Sequence, residues 1–223
     1  MENLHPWIDI TFPISNGMTT WPGDIPVQLR RTATIGVLGS DANVSTLSLS
    51  AHTGTHIDAP LHFIKGGKDI TQIPVEDLIG YSKIFHITDP QQITFSELKE
   101  MPIEDGDILL FRTRNSDKMW INTPFKEDYV YLSTSAAKYL VKMGVRCIGV
   151  DYLSVGGMEN GVDVHRILLN AGITIIEGLR MQDVVPGLYE IIAMPMKIHG
   201  ADGAPARVVV RRITDSENDE APL

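Results

Sequence analysis

Apolar residues along this chain fall into short runs. "WIDITFPI" (7–14), "VSTLSLSA" (44–51), "SKIFHIT" (82–88), "DILLFRT" (107–113), "RCIGVDYL" (146–153), "GITIIEGL" (172–179), "YEIIAMPMKI" (189–198) and "ARVVVRRI" (206–213) are each rich in Ile, Val, Thr or aromatic residues. Gly, Pro, Asn or Asp bounds them, which predicts β-strands. Three stretches carry helix signals instead: "FSELKEM" after Thr94 as N-cap, "STSAAKYLVKMG" closing on Gly144, and "VHRILLNAG" ending at Asn170 and Gly172. Strands with intervening helices predict a β-rich, mixed α/β domain, built round a sheet or partly closed barrel with flanking helices. No repeat or linker interrupts the pattern, so residues 1–214 read as one domain. The last nine residues, "DSENDEAPL" (215–223), carry four acids and read as a disordered acidic tail.

Composition narrows the partners. With 43% hydrophobic and 21% charged residues the chain can build its own core, while a formal net charge of -9 argues against nucleic acid and membrane surfaces. No run approaches the length a membrane helix needs. The opening "MENLHPWIDITFPISNG" shows neither a basic n-region nor an apolar h-region, and so predicts no secretory signal. The single cysteine, Cys147, lies in an apolar run and reads as a buried, inert thiol; a cytoplasmic protein is expected.

The chemistry concentrates in "HTGTHIDAPLHF" (52–63), which holds three of the seven histidines. On a helix, Asp58 would sit about 200° round from His56, at roughly 100° per residue; Thr-Gly-Thr and Pro60 also oppose a helix. In an extended chain the even-numbered residues share a face. His52, His56 and Asp58 then lie together, Gly54 leaves room for an ion, and Pro60 ends the strand so that His62 folds back over the site. Two imidazoles and a carboxylate suit Zn, Mn or Fe, and three protein ligands with an open position is the pattern of a catalytic metal. The blander reading, a polar turn whose histidines bond to backbone, suits one histidine better than three beside an acid.

Further donors must come from elsewhere. His165 heads a predicted helix, and Glu177 ends an apolar strand where a carboxylate is costly to bury unless it is paired or ligates a cation. Taken alone, His165 reads as a surface residue near a helix start and Glu177 as a solvated strand-end acid.

The run "HTGTHIDAPLHF" resembles the signature of the cyclase-like metal-dependent hydrolases, the family that contains bacterial kynurenine formamidase. "TTWPGD" (19–24), "FIKGGKDI", "VRCIGVDYLSV", "VHRILLNAGITIIEGL" and "MKIHGADGAPARVVV" resemble the family's other blocks in their usual order. The resemblance implies a swivelling β/β/α fold, a homodimer or higher oligomer, a small amide substrate, and two divalent ions, zinc or manganese. By matched position, His52 and His56 would bind one ion and His165 the other. Asp58 and Glu177 would serve both, His62 would be the proton donor and acceptor, and Trp21 would line the substrate pocket. It implies hydrolysis of an amide, with N-formylkynurenine as the leading substrate and a cyclic amide such as isatin, or another small amide or ester, as the alternative. A non-catalytic, metal-stabilised binding protein is the reading of another class. Segments 112–132 and 153–164 are the expected specificity loops. Trp7, Trp120 and His86 read as structural, His5 carries no partner motif, His199 reads as an ordinary loop residue, and Asp151 as a supporting rather than ligating acid.

Overall fold

The computed structural model describes residues 6–118 and 120–213; His5 and the acidic stretch 215–223 lie outside them. The strands are β1 (Ile8–Asp9), β2 (Gln28–Ala33), β3 (Val44–Ser48), β4 (His56–Asp58), β5 (Ile79–His86), β6 (Gln92–Ile93), β7 (Ile108–Arg112), β8 (Tyr131–Leu132), β9 (Cys147–Val150), β10 (Thr174–Glu177), β11 (Gly187–Pro195) and β12 (Gly203–Arg212). The helices are α1 (Phe95–Leu98), α2 (Thr134–Lys142) and α3 (Gly161–Asn170).

Strand β7 shows how two cores follow from period-two alternation. Ile108 and Leu110 join one apolar cluster, Leu109 and Phe111 another, and all four are fully buried. The first cluster draws Ile57, Ile84, Cys147, Ile176, Ile191 and Val208 from six further strands, and so fills the inside of a barrel. The second lies outside, where Ile148, Val150 and Ile175 of the strands meet Leu140 of α2 and Leu168 of α3. Strands β5, β7, β9 and β10 are parallel neighbours, joined by crossovers that carry α1, α2 and α3. Strands β11 and β12 continue antiparallel, and β4 pairs with both β12 and β10. The sheet therefore closes into a ring of seven strands, with β1 on the free part of β12; the partly closed sheet of the sequence reading closes fully.

Capping and stop signals fall where the sequence puts them. Ser133 Oγ accepts from Ala136 N at the start of α2, Thr94 caps α1, and Gly144 and Gly172 take positive φ after α2 and α3. Two expectations change, and one strand is new. The run 7–14 pairs as a strand only at Ile8–Asp9 and then through one bridge, Thr11 to Leu179, before Pro13 removes a donor. Helix α3 begins at Gly161, so His165 sits a full turn inside it rather than at its head. Strand β2, "QLRRTA", has no apolar face to read and owes its pairing to β3, with which it forms a ribbon exposed on both sides. Among the described residues no helix is long and apolar enough to cross a membrane.

Candidate metal centre

The register of β4 builds the site. Ile57 points into the barrel core, so His56 and Asp58 point the other way, towards the helix layer. Across the β4–β10 ladder Glu177 lies directly opposite His56, and it shares the outer face with Ile175. Helix α3 brings His165 over the same spot. The chain before β4 is a turn, not the extended strand of the sequence reading: Gly54 has φ 65°. Its role also differs. Gly54 O accepts from His56 Nδ1 at 2.9 Å, and a side chain at Gly178 would overlap the Gly54 carbonyl. The glycine pair thus allows two backbones to touch. Thr55 Oγ1 locks the contact by donating to Gly178 O at 2.5 Å while accepting from Phe12 N at 2.9 Å.

Five of the residues singled out in the sequence converge. Asp58 Oδ1 lies 2.8 Å from His52 Nδ1 and 3.5 Å from His56 Nε2, while its Oδ2 lies 3.5 Å from His165 Nε2. Glu177 spans the same pair from the other side, with Oε2 3.3 Å from His56 Nε2 and Oε1 3.2 Å from His165 Nε2. Two donor sets result, His52–His56–Asp58 and Asp58–His165–Glu177, sharing Asp58. Two ring orientations are fixed from behind: His56 Nδ1 donates to Gly54 O, and His165 Nδ1 donates to Gly161 O at 2.6 Å. Both Nε2 atoms therefore face the carboxylates, as backbone-anchored metal-binding imidazoles do.

The donors fit divalent cations on a physical test. Asp58 is 0% exposed and Glu177 3%, and bringing a carboxylate out of water costs several kcal/mol even after relaxation. Yet His56 Nε2 and Asp58 Oδ2 are buried without any hydrogen-bond partner. Orphaned polar atoms of this kind need an explanation, and all-N/O donors from two histidine–carboxylate sets supply one in a hard or borderline cation. The same carboxylates also hold protons on the imidazoles more tightly than water does. Burial pulls His56 down, but Asp58 and Glu177 outweigh it and raise the imidazole to about 10. Against burial, Asp58 and Asp202 likewise raise His52, and Glu177 and Asp58 raise His165. Burial pushes Asp58 up, yet His52 and His56 hold it well below the usual carboxylate range.

His62 occupies the short turn Pro60–His62, folded back as expected, and stacks on His52 with ring centroids 3.9 Å apart. Burial lowers its pKa, which leaves a neutral imidazole able to accept a proton. His62 and Trp21 line one cavity of about 270 Å³ with Phe63, His165 and Glu177. Leu153, Gly157, Met158 and Val162 form its apolar wall, so segment 153–164 does border the cavity. Among the described residues, none of segment 112–132 lines it; Phe125 instead packs edge-on against Trp21, 5.1 Å between centroids. A larger groove of about 820 Å³ lies elsewhere, and its charged groups are already paired, Asp9 with Arg207 and Arg180 with Asp183.

The remaining residues settle plainly. Asp151 is fully buried and accepts from Thr113 N, Thr113 Oγ1 and Ser116 Oγ, which folds the 113–116 turn. Trp120 is core, His86 is exposed at the end of β5, and Trp7 is half-exposed beneath the Arg211 guanidinium. His199 points to solvent near Asp69, away from the cavity. One residue to which the sequence reading gave no role joins the cluster: Asp202, whose Oδ2 lies 3.1 Å from His52 Nε2 and 3.4 Å from His62 Nδ1. The signal in the sequence is an acid between a histidine-bearing loop and Gly203.

The chain is similar to known proteins in sequence and in fold. The Cyclase family model matches residues 8–156. The kynurenine formamidase of Geobacillus thermodenitrificans is 37% identical over 212 residues, covering 94% of this chain and 99% of its own. A solved structure described as a potential metal-dependent hydrolase with cyclase activity superimposes with a TM-score of 0.81 at 36% identity, over 94% of this chain and 98% of that one. The fold also matches isatin hydrolase A of Labrenzia aggregata, with a TM-score of 0.80 at 20% identity over 94% of each chain.

A pH prediction follows for the metal-stripped protein. A histidine raised on folding contributes stability that is complete below its ordinary value of 6.5 and is lost as pH rises through the folded value, about 10 for His56. The thermal midpoint of the metal-free protein should therefore fall from pH 6.5 towards pH 10, and a saturating divalent cation that binds these donors should flatten that fall. A midpoint that does not change over this range would remove the proton-held picture of the site.

Proposed function

The chain belongs to the Cyclase family, and from that premise we propose that it is a two-cation amide hydrolase acting on an aryl formamide, with N-formylkynurenine as its substrate. That it hydrolyses amides follows from near full-length similarity to kynurenine formamidases. The single observation that carries the rest is the pair of donor sets sharing a fully buried Asp58, with His62 on the open side beside a small cavity. His52, His56 and Asp58 would hold one cation, His165 with Asp58 and Glu177 the other, and zinc or manganese suits these nitrogen and oxygen donors. When bound, such ions acidify water and stabilise developing negative charge on a carbonyl oxygen.

The chain's own residues do the rest. His62, neutral and half-buried, accepts a proton as water attacks and returns it to the departing amine, a poor leaving group unless protonated. Trp21, braced by Phe125, gives a flat apolar surface for an aryl ring, and Leu153, Met158 and Val162 exclude water round it. Phe63 stacks on His165, 4.3 Å between centroids, and holds that imidazole under the cavity floor.

The proposal extends to a homo-oligomer in the cytoplasm. Support for the oligomer is the β2–β3 ribbon, which exposes Leu29, Val44 and Leu47 although two strands alone are marginal in water. Support for the compartment is the buried, unpaired Cys147 thiol.

Three measurements test these statements. Metal-stripped protein restored with Zn or Mn should hydrolyse N-formylkynurenine, with metal content rising alongside. Turnover of isatin alone would change the substrate, and bound metal without turnover of either would defeat the reading. His62→Ala should lower kcat about 10²- to 10⁴-fold with metal content unchanged; loss of both would place His62 among the ligands. Sedimentation should give at least a dimer, and a monomer at micromolar concentration would overturn the oligomer.

A further inference from the structure

The two imidazoles His52 and His62 lie almost parallel and face one carboxylate, Asp202, whose Oδ2 is 3.1 Å from His52 Nε2 and 3.4 Å from His62 Nδ1. We infer that Asp202 is a positioning residue which orients both the metal-binding His52 and the proton-transferring His62, tying the two together through a single oxygen. The inference rests on the two-cation reading above.

The backbone round Asp202 is built for that task. Its carbonyl accepts from Ala59 N at 2.9 Å, the neighbouring Ala201 carbonyl accepts from Ile70 N at 3.0 Å, and Gly200 N donates to Asp69 Oδ2 at 2.8 Å. Three bonds to two other segments hold a loop whose side chain is itself 47% exposed. The next residue, Gly203, stands opposite Asp58 in the β12–β4 ladder. A Cβ there would come within 2.7 Å of His52 Cε1 and 2.9 Å of Ile57 O, so the glycine lets the His52 ring lie against β12.

The same three side chains could be read as a third cation site, since their donor atoms also cluster. Imidazole chemistry decides against it. His52 turns Nδ1 to Asp58 at 2.8 Å and Nε2 to Asp202. A neutral ring has one lone pair and one N–H. Ligating a cation on the Asp58 side leaves an N–H on the other, and an N–H needs an acceptor. Asp202 is that acceptor, the carboxylate–histidine–metal arrangement that fixes the tautomer and strengthens the ligand. The same oxygen lies 3.4 Å from His62 Nδ1, a charge contact that biases the proton of a neutral ring to Nδ1 and leaves Nε2 for proton transfer.

Asp202→Asn tests this, with Asp202→Ser as a second variant should the first fail to fold. Competition with a chromogenic chelator should show zinc held about 10- to 100-fold more weakly than in the wild type. With zinc saturating, kcat should fall at least about tenfold while KM changes little. In a His62→Ala background the same substitution should alter kcat by no more than about twofold, because the two residues act through one step. Wild-type zinc affinity in both variants, or an undiminished loss of kcat in the His62→Ala background, would overturn the inference. A wild-type protein that binds no zinc would instead sink the two-cation reading on which it rests.

Discussion

Everything at the site depends on the pairing register of a three-residue strand. Against β10, β4 sets His56 opposite Glu177; against β12, it sets Asp58 opposite Gly203. A slip of one residue would turn Ile57 outward and drive a histidine and an aspartate into the barrel interior. The apolar content of that interior makes the slip prohibitive, since Ile57 is fully buried among Ile176, Ala204 and Val208. Hydrophobic packing on one face of β4 thus fixes polar chemistry on the other.

That arrangement divides the molecule's labour. The donors sit on ladder residues, on one helix and on a turn pinned by Thr55, all held by backbone bonds. The cavity wall comes from a different class of segment, the glycine-bearing stretch 153–164 together with Trp21. Electrostatics explains why the first group must be rigid. Two buried carboxylates within reach of the same histidines repel each other unless positive charge is held between them, and small displacements would leave one of them uncompensated.

Much of this was legible in the chain. The β-branched runs of β5, β7, β9, β10, β11 and β12 announced the sheet, and Ser133, Thr94, Gly144 and Gly172 marked helix ends. The donor cluster was legible because histidines are scarce and three fell within eleven positions. What escaped notice depends on tertiary contact. Strand β2 carries no amphipathic pattern because neither face is covered. The turn at Gly54 is imposed by its contact with Gly178, far along the chain. Asp202 looked like loop until the β12–β4 ladder brought it beside His52.

The shortness of β4 has a consequence for how the molecule is assembled. Its two ladder partners lie well over a hundred residues downstream, so the seam they make demands the most distant chain closure in the barrel. The parallel strands β5, β7, β9 and β10 can associate through nearer crossovers first. The seam that completes the ring therefore carries the largest loop-closure cost among its seven strands, and it is also where the ions would sit. Cations there would act as a rivet across the costliest joint of the ring, lending stability as well as reactivity to the same few side chains.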